Sequence, residues 1–251
     1  MNALAKMVHV TGPFEIIPGV PPKRHVRVYV PARTPDQDRP FLLLFDGQNV
    51  FDDAPSFAGG WHAHRAVERL AKTVAAPVVI GVDHGHEHRI RELSPFDVGP
   101  HTAEADKFLH WITSWLLPKL RREYRLTHDP RRSIVGGSSL GGLASLYAAL
   151  RFPDVFGGSL SMSPSLFVGR GALFEWVKHH GAPRGSRIYL DAGAHEAGGR
   201  MLQSASRMAG LLLGTGRVDL RFRSDPRGHH RESSWRRRLL PALRFHFGPK
   251  V

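Results

Sequence analysis

The sequence predicts an α/β fold with a mostly parallel central sheet and helices on both faces. Three observations predict it. Runs such as Phe41-Leu-Leu-Leu-Phe45 and Val78-Val-Ile-Gly-Val82 are apolar at nearly every position, as strands buried on both faces must be. Segments with an apolar stripe at helical spacing lie between such runs. The two kinds of segment alternate along the chain, as in βαβ units. The chain has 251 residues and is 41% hydrophobic, enough for one sizeable core. A single domain over residues 1–251 is expected, because no repeat, low-complexity linker or composition break divides the chain.

Strands are expected at 26–30, 41–45, 77–82, 133–135, 159–162, 187–190 and 218–222. Helices are expected at 60–72, carrying Ala63, Ala66, Val67 and Leu70, and at 106–124, carrying Phe108, Ile112, Trp115, Leu116 and Leu120. A third helix, at 140–151, begins directly after a strand. The last two are expected at 201–213, with Ala205, Met208 and Leu212, and at 232–247, with Trp235, Leu239, Leu243 and Phe247. Pro118 and Pro241 fall inside two of these helices and should kink or end them. Gly19 to Pro22 reads as a turn, and Arg236, Arg237 and Arg238 read as a solvent face.

There are no cysteines, which excludes disulfides, thiolate metal sites and a cysteine nucleophile. The first ten residues lack the basic start and long apolar stretch of a secretory leader. No run reaches transmembrane length, so a soluble, cytoplasmic protein is expected. The net charge is +13, and the region from Arg207 to Lys250 is especially basic. That balance favours an anionic small-molecule partner or a plain basic surface. No nucleic-acid motif accompanies it, so nucleic acid is not expected as a partner.

The most informative segment is Gly137-Ser138-Ser139-Leu140-Gly141, a G-x-S-x-G pattern between an apolar strand and a helix. A serine on such a strand-to-helix turn projects its hydroxyl above the sheet edge. The turn is tight, so small residues are needed on both sides of it. Ser139 is therefore the candidate nucleophile. Ser138 is a poorer one, because Leu140 stands where the second glycine belongs.

In the α/β-hydrolase arrangement the acid and then the base follow the serine. The base belongs between the last strand and the final helix, which leaves His229 and His230 among sixteen histidines. The acid belongs after the preceding strand. Glu196, past the strand end, is preferred; Asp191 at the strand end and Asp225 are the alternatives. A tetrahedral intermediate also needs two preorganised N–H donors. They are assigned to Leu140, the residue after the nucleophile, and to Gln48, in the turn Asp46-Gly47-Gln48 after an early strand.

With these residues in place, the chain resembles the enterochelin esterase-like branch of the α/β-hydrolases, which includes esterase D and the mycobacterial mycolyltransferases. The resemblance runs from about Val26 to Phe247. It rests on Leu43-Leu44-Phe45-Asp46-Gly47-Gln48, Arg89-Ile-Arg-Glu92-Leu-Ser-Pro95, Gly136-Gly-Ser-Ser139-Leu-Gly-Gly142, Ser161-Met-Ser-Pro-Ser165, Leu190-Asp-Ala-Gly-Ala-His-Glu196 and His230-Arg-Glu-Ser-Ser-Trp235. It implies an α/β-hydrolase fold and a serine carboxylic ester hydrolase that needs no cofactor or metal. It selects His230, five positions before a tryptophan, and Glu196, after the glycine that follows the strand. It also supports Gln48 and Leu140 as oxyanion donors. Siderophore esterases of the family cleave catecholate trilactones. The separate N-terminal domain of the cytoplasmic enterochelin esterases is not read here, so the expectation is a general esterase on a small ester substrate, anionic ones included.

Candidates for substrate contact are Asp46, Trp61, Arg89 and Ser163, with Trp111, Trp115 and Trp176 as further candidates for an acyl-pocket wall. Arg89 and Glu92 read as a loop-bracing ion pair. The histidines of His84-Gly-His86-Glu-His88 read as a polar loop beside the site and not as metal ligands. The same constellation serves an acyltransferase of the mycolyltransferase type. A non-catalytic anion-binding module on the same fold is the other alternative.

Overall fold

The computed structural model describes residues 7–17, 20–54, 56 and 58–249. Eight strands form one sheet: β1 (Val8–Ile17), β2 (Val20–Tyr29), β3 (Phe41–Phe45), β4 (Val78–Val82), β5 (Ser133–Ser138), β6 (Gly158–Met162), β7 (Arg187–Gly193) and β8 (Asp219–Asp225). Their spatial order is β1-β2-β4-β3-β5-β6-β7-β8. β1 pairs antiparallel with β2, and β2 antiparallel with β4; every other pairing is parallel. The helices are α1 (Ala63–Leu70), α2 (Arg89–Glu92), α3 (Ala105–Trp111), α4 (Leu117–Tyr124), α5 (Leu140–Arg151), α6 (Ala172–His180), α7 (Arg200–Gly214) and α8 (Glu232–Phe247). This is the α/β-hydrolase architecture.

The evenly apolar strands face two cores. Along β3, Phe41, Leu43 and Phe45 point into the core under α3 to α7, whereas Leu42 and Leu44 point into the core under α1 and α8. Side chains alternate across a strand, so a strand between two helical layers must be apolar at both parities. From β3 the chain steps outward to β4, then returns across β3 and continues through β5 to β8. The carboxyl ends of β3 and β5 therefore flank a topological switch point, where open α/β sheets bind ligands.

The expected strands all form, most of them with extended ends. β1 was not foreseen. It is an edge strand with no buried residue among those described, so it lacks the apolar run that marked the others. Of the turn expected at 19–22, Val20 to Pro22 belong to β2 and Gly19 lies outside the described residues, as does most of the N-terminal segment read for a leader. The helix expected at 106–124 is α3 and α4 joined by one π turn, Ile112–Leu116. That turn sits directly before Pro118, whose missing N–H and bulky ring an unbroken α-helix would not accommodate. Pro241 remains inside α8. The start of the loop after β4 is braced by Arg27 of β2 on Asp83, at 2.8 Å through two guanidinium nitrogens. Among the described residues, no helix is long and apolar enough to cross a membrane.

Candidate active site

β5 ends at Ser138, and α5 begins at Leu140. Between them Ser139 takes φ 57° and ψ −120°, a conformation an L-residue adopts only when its surroundings impose it. The Ser139 N–H donates to Met162 O at 3.0 Å and its carbonyl accepts from Ser165 N–H at 3.0 Å. A Cβ on Gly137 would lie 2.6 Å from the backbone of Gly141. This close approach of strand to helix requires the first glycine of the pattern; a Cβ on the second, Gly141, would instead crowd Phe45 Cβ at 3.2 Å. Ser138 is buried as the last strand residue.

The Ser139 Oγ lies 2.9 Å from His230 Nε2, and His230 Nδ1 lies 3.0 Å from Glu196 Oε2. An ionised carboxylate only accepts, so Nδ1 carries the proton and Nε2 is left to accept from the serine hydroxyl. Glu196 follows β7, and His230 follows β8. Their loops touch backbone to backbone: Ala194 N–H donates to Asp225 O at 2.9 Å and His195 N–H to Gly228 O at 3.1 Å. A Cβ on Gly193 would lie 2.4 Å from Gly228 O. Gly193→Ala is therefore expected to force the two loops apart, costing about 1–3 kcal/mol of stability; a denaturant melt beside the parent protein measures it. His229 stacks its ring on His195 at 4.9 Å, and it is His230 that meets Ser139. Asp225 pairs instead with Arg237 at 2.6 Å.

Glu196 is inaccessible behind the histidine. Its Oε1 accepts from Ser163 Oγ at 2.8 Å, Gly193 N–H at 2.9 Å and Arg238 Nη2 at 3.2 Å. The Ser163 Oγ accepts in turn from Trp235 Nε1 at 3.0 Å and Arg238 Nη2 at 2.9 Å. Burial pushes the Glu196 carboxyl up, but the hydrogen bonds from His230 and Ser163 and the charge of Arg238 outweigh it, so its pKa falls below the usual carboxylate range. Asp191, fully buried on β7, faces Arg238 Nη1 at 3.1 Å and not the histidine. Burial raises it to about 7 against the pull of Arg238.

Three expectations are corrected here. Arg238 is not on a solvent face: it is 7% exposed and bridges Asp191 and Glu196. The sequence held the signal, since Arg238 stands three residues after Trp235 and next to Leu239, on the apolar stripe of α8. A cation on such a stripe needs buried carboxylates. Ser163 is inaccessible and spends its hydroxyl on Glu196, so it supports that carboxylate and offers no exposed surface to a substrate. Trp61 is buried against Trp235, with ring centroids 6.1 Å apart, and Trp235 meets the His230 ring edge-on at 5.0 Å.

On the other side of Ser139, Gly47–Asn49 forms one 3₁₀ turn at the end of β3. The Gln48 and Leu140 N–H groups make no hydrogen bond to another described residue. Arg89 grips Asp46 through both oxygens, at 2.7 Å each, which fixes the start of this turn. Asp46 is 7% exposed and its carboxylate is taken by Arg89, so it braces the turn in place of offering a free substrate contact. The expected Arg89–Glu92 brace is replaced by two bidentate pairs. Glu92 holds the buried Arg24 at 2.9 and 2.8 Å. The remaining tryptophans form no common wall. Trp111 and Trp115 stack on each other, with Trp115 against Phe14 of β1, and Trp176 stacks on His180 at the end of α6. In the histidine-rich loop, His84 Nδ1 accepts the His86 N–H at 2.9 Å.

Comparison with known proteins agrees with this architecture. The family model described as "Putative esterase" matches residues 19–246. The iron(III) salmochelin esterase of Escherichia coli O6:H1 (strain CFT073) is 30% identical over 188 residues, spanning 69% of this chain and 43% of that protein. The chain thus spans less than half the length of that relative. The crystal structure of the enterobactin esterase FES from Shigella flexneri in the presence of enterobactin superposes with a TM-score of 0.73 at 25% identity, over 88% of this chain and 54% of the other. The BES protein from Bacillus cereus superposes with a TM-score of 0.80 at 20% identity, over 98% and 97% of the two chains, and shows the shared fold. By the extent of the family match, this chain belongs to the putative esterase family of α/β-hydrolase-fold proteins.

Proposed function

We propose that this chain is a serine carboxylic ester hydrolase in which Ser139, His230 and Glu196 form the catalytic triad. The observation that carries the reading is the unbroken hydrogen-bond chain from Ser139 Oγ through His230 to Glu196, at a strand-to-helix turn beside two amides without acceptors among the described residues. Ser139 Oγ attacks the ester carbonyl carbon while its proton passes to His230 Nε2. The carbonyl oxygen becomes an oxyanion, received by the N–H groups of Gln48 and Leu140. Collapse breaks the bond to the alcohol, and His230 returns the proton to that leaving oxygen. Water then repeats the sequence on the acyl-enzyme, releasing the acid and the free serine. Glu196 stays ionised throughout and stabilises the imidazolium.

The salmochelin and enterobactin esterases among its relatives make a siderophore-like ester, or another small ester, the substrate class proposed here. The basic chain, at +13, suits an anionic one. Labelling by a fluorophosphonate probe, followed by mass spectrometry of the modified peptide, tests the nucleophile; absence of label on Ser139 refutes it. An ester panel of rising acyl length, with a catecholate trilactone included, reads the substrate class. Asp46→Asn should weaken the grip of Arg89 on the β3 turn and lower kcat about tenfold with a smaller change in KM, since a misplaced oxyanion donor acts mainly in the transition state. Steady-state kinetics on 4-nitrophenyl acetate checks it.

A further inference from the structure

A cavity of about 450 Å³ lies between the segments that follow β6 and β7, lined by Pro164, Phe167, Ala197, Arg200, Met201 and Ser204. Its walls come from two segments that each carry a triad neighbour. Pro164 lies between Ser163, which holds Glu196, and Ser165, whose Oγ is 3.2 Å from Ser139 Oγ. Ala197 follows Glu196 directly and takes φ 48°, so the loop is bent to fit. The oxyanion turn of β3 lies on the opposite side of Ser139, at the other neighbour of β5. A carbonyl oxygen directed at Gln48 and Leu140 leaves one arm of the ester directed toward β6 and β7, where this cavity lies.

The chemistry of the walls is specific. Phe167 is 66% exposed, a large apolar surface left in water. Pro164, Ala197 and Met201 extend it, and a thioether beside a ring favours aromatic contact. The single cation is Arg200. Its Nε donates to Ala197 O at 3.1 Å, and it pairs with no carboxylate among the described residues. A guanidinium with its terminal nitrogens free, at the rim of an apolar slot, is suited to a planar anionic group.

We propose that this cavity is the specificity subsite of the enzyme, and that it takes a flat, aromatic arm of the ester ending in a carboxylate or similar anion. The proposal rests on Ser139 being the nucleophile. Phe167 and Met201 hold the ring, and Arg200 holds the distal anion.

The test compares 4-nitrophenyl phenylacetate with 4-nitrophenyl 4-carboxyphenylacetate, and benzyl acetate with 4-carboxybenzyl acetate, so that the arm is placed on either side of the ester. In one of the two series the carboxylated member should be preferred. That preference, as a ratio of kcat/KM values, should fall about tenfold in Arg200→Gln, the scale of one charge-assisted hydrogen bond. Phe167→Ala should lower kcat/KM for both aromatic members relative to 4-nitrophenyl acetate. An unchanged ratio in Arg200→Gln overturns the proposal. Calorimetric binding of 4-carboxyphenylacetate to Ser139→Ala protein reads the cavity without turnover: it should weaken about tenfold when Arg200→Gln is added, and no binding, or binding indifferent to Arg200, overturns the subsite. A parent protein that hydrolyses none of the esters sinks the esterase reading, while the calorimetric arm still decides the cavity.

Discussion

Ser139→Ala is expected to lower kcat/KM for 4-nitrophenyl esters by roughly 10⁴- to 10⁶-fold, the scale seen when a serine nucleophile is removed from an intact triad. The substitution removes one oxygen. Alanine keeps the Cβ, so the strain at φ 57° is the same before and after, and the backbone bonds to Met162 and Ser165 do not involve the side chain. What is lost is the atom 2.9 Å from His230 Nε2. Under the proposed mechanism no acyl-enzyme forms without it, and the expected residual rate is what the Gln48 and Leu140 amides contribute to direct attack by water. Stability should change little, so a thermal melt close to that of the parent separates lost chemistry from lost fold. Kinetics and probe labelling together check it. A variant that retains more than a few per cent of the parent turnover would falsify Ser139 as the nucleophile.

Arg238→Met is expected to be the most damaging substitution for stability, at about 3–5 kcal/mol, because it leaves two buried carboxylates without their cation. Arg238 lies 3.1 Å from Asp191 and 3.2 Å from Glu196. The deficit should grow with pH. With Arg238 absent, the folded-state pKa values of both carboxyls rise. A group with a raised folded-state pKa contributes stability below its unfolded pKa and loses it as pH rises through the folded value. Asp191 already stands at about 7 with Arg238 present, so the loss should be smallest near pH 5 and largest above neutrality. Denaturant melts at pH 5, 7 and 8.5 test this, and a deficit independent of pH counts against it. Adding Asp191→Asn should recover part of the loss, since a neutral amide needs no cation. Arg238 also helps to hold the Glu196 carboxyl below its usual range. The acid limb of the kcat/KM profile should therefore move to higher pH in Arg238→Met, an effect that general destabilisation does not produce. That shift is the result expected of a positioning residue that acts through Glu196.

The parts of the fold legible in the sequence are those that two buried faces make apolar. β3 and β4 were read to the residue or within one, because every side chain on them enters a core. α5 and α8 were read to the residue, because a strand, a glycine pattern or a long apolar stripe bounds them. β1 escaped notice because it is an exposed edge. α6 escaped because only Leu173, Phe174 and Val177 of its nine residues are buried. In the candidate site, Ser139, His230 and Glu196, which the structure brings into one hydrogen-bonded chain, are among the few residues that type and order leave in play. Their supports are not. Arg238 reads in sequence as one of three adjacent arginines facing water, and Arg89 as the partner of Glu92, three positions on, when its partner is Asp46, 43 positions away.

By itself, the sequence determined the α/β class, the turn that holds Ser139, and the short set of residues able to serve as acid and base. These follow from local constraints: the parity of buried side chains, the steric limits at Gly137 and Gly141, and the order in which a parallel sheet delivers its loops. Only the tertiary structure decided which carboxylate meets the histidine. Glu196 and Asp191 are five positions apart and chemically alike. The strand turns Asp191 inward to Arg238, whereas the loop past Gly193 is free to carry Glu196 beneath His230, 34 positions away. Hydrogen bonding and ion pairing act over a few ångströms of space and disregard distance along the chain. Pairings of that kind exist only once the sheet has brought β7, β8 and α8 together.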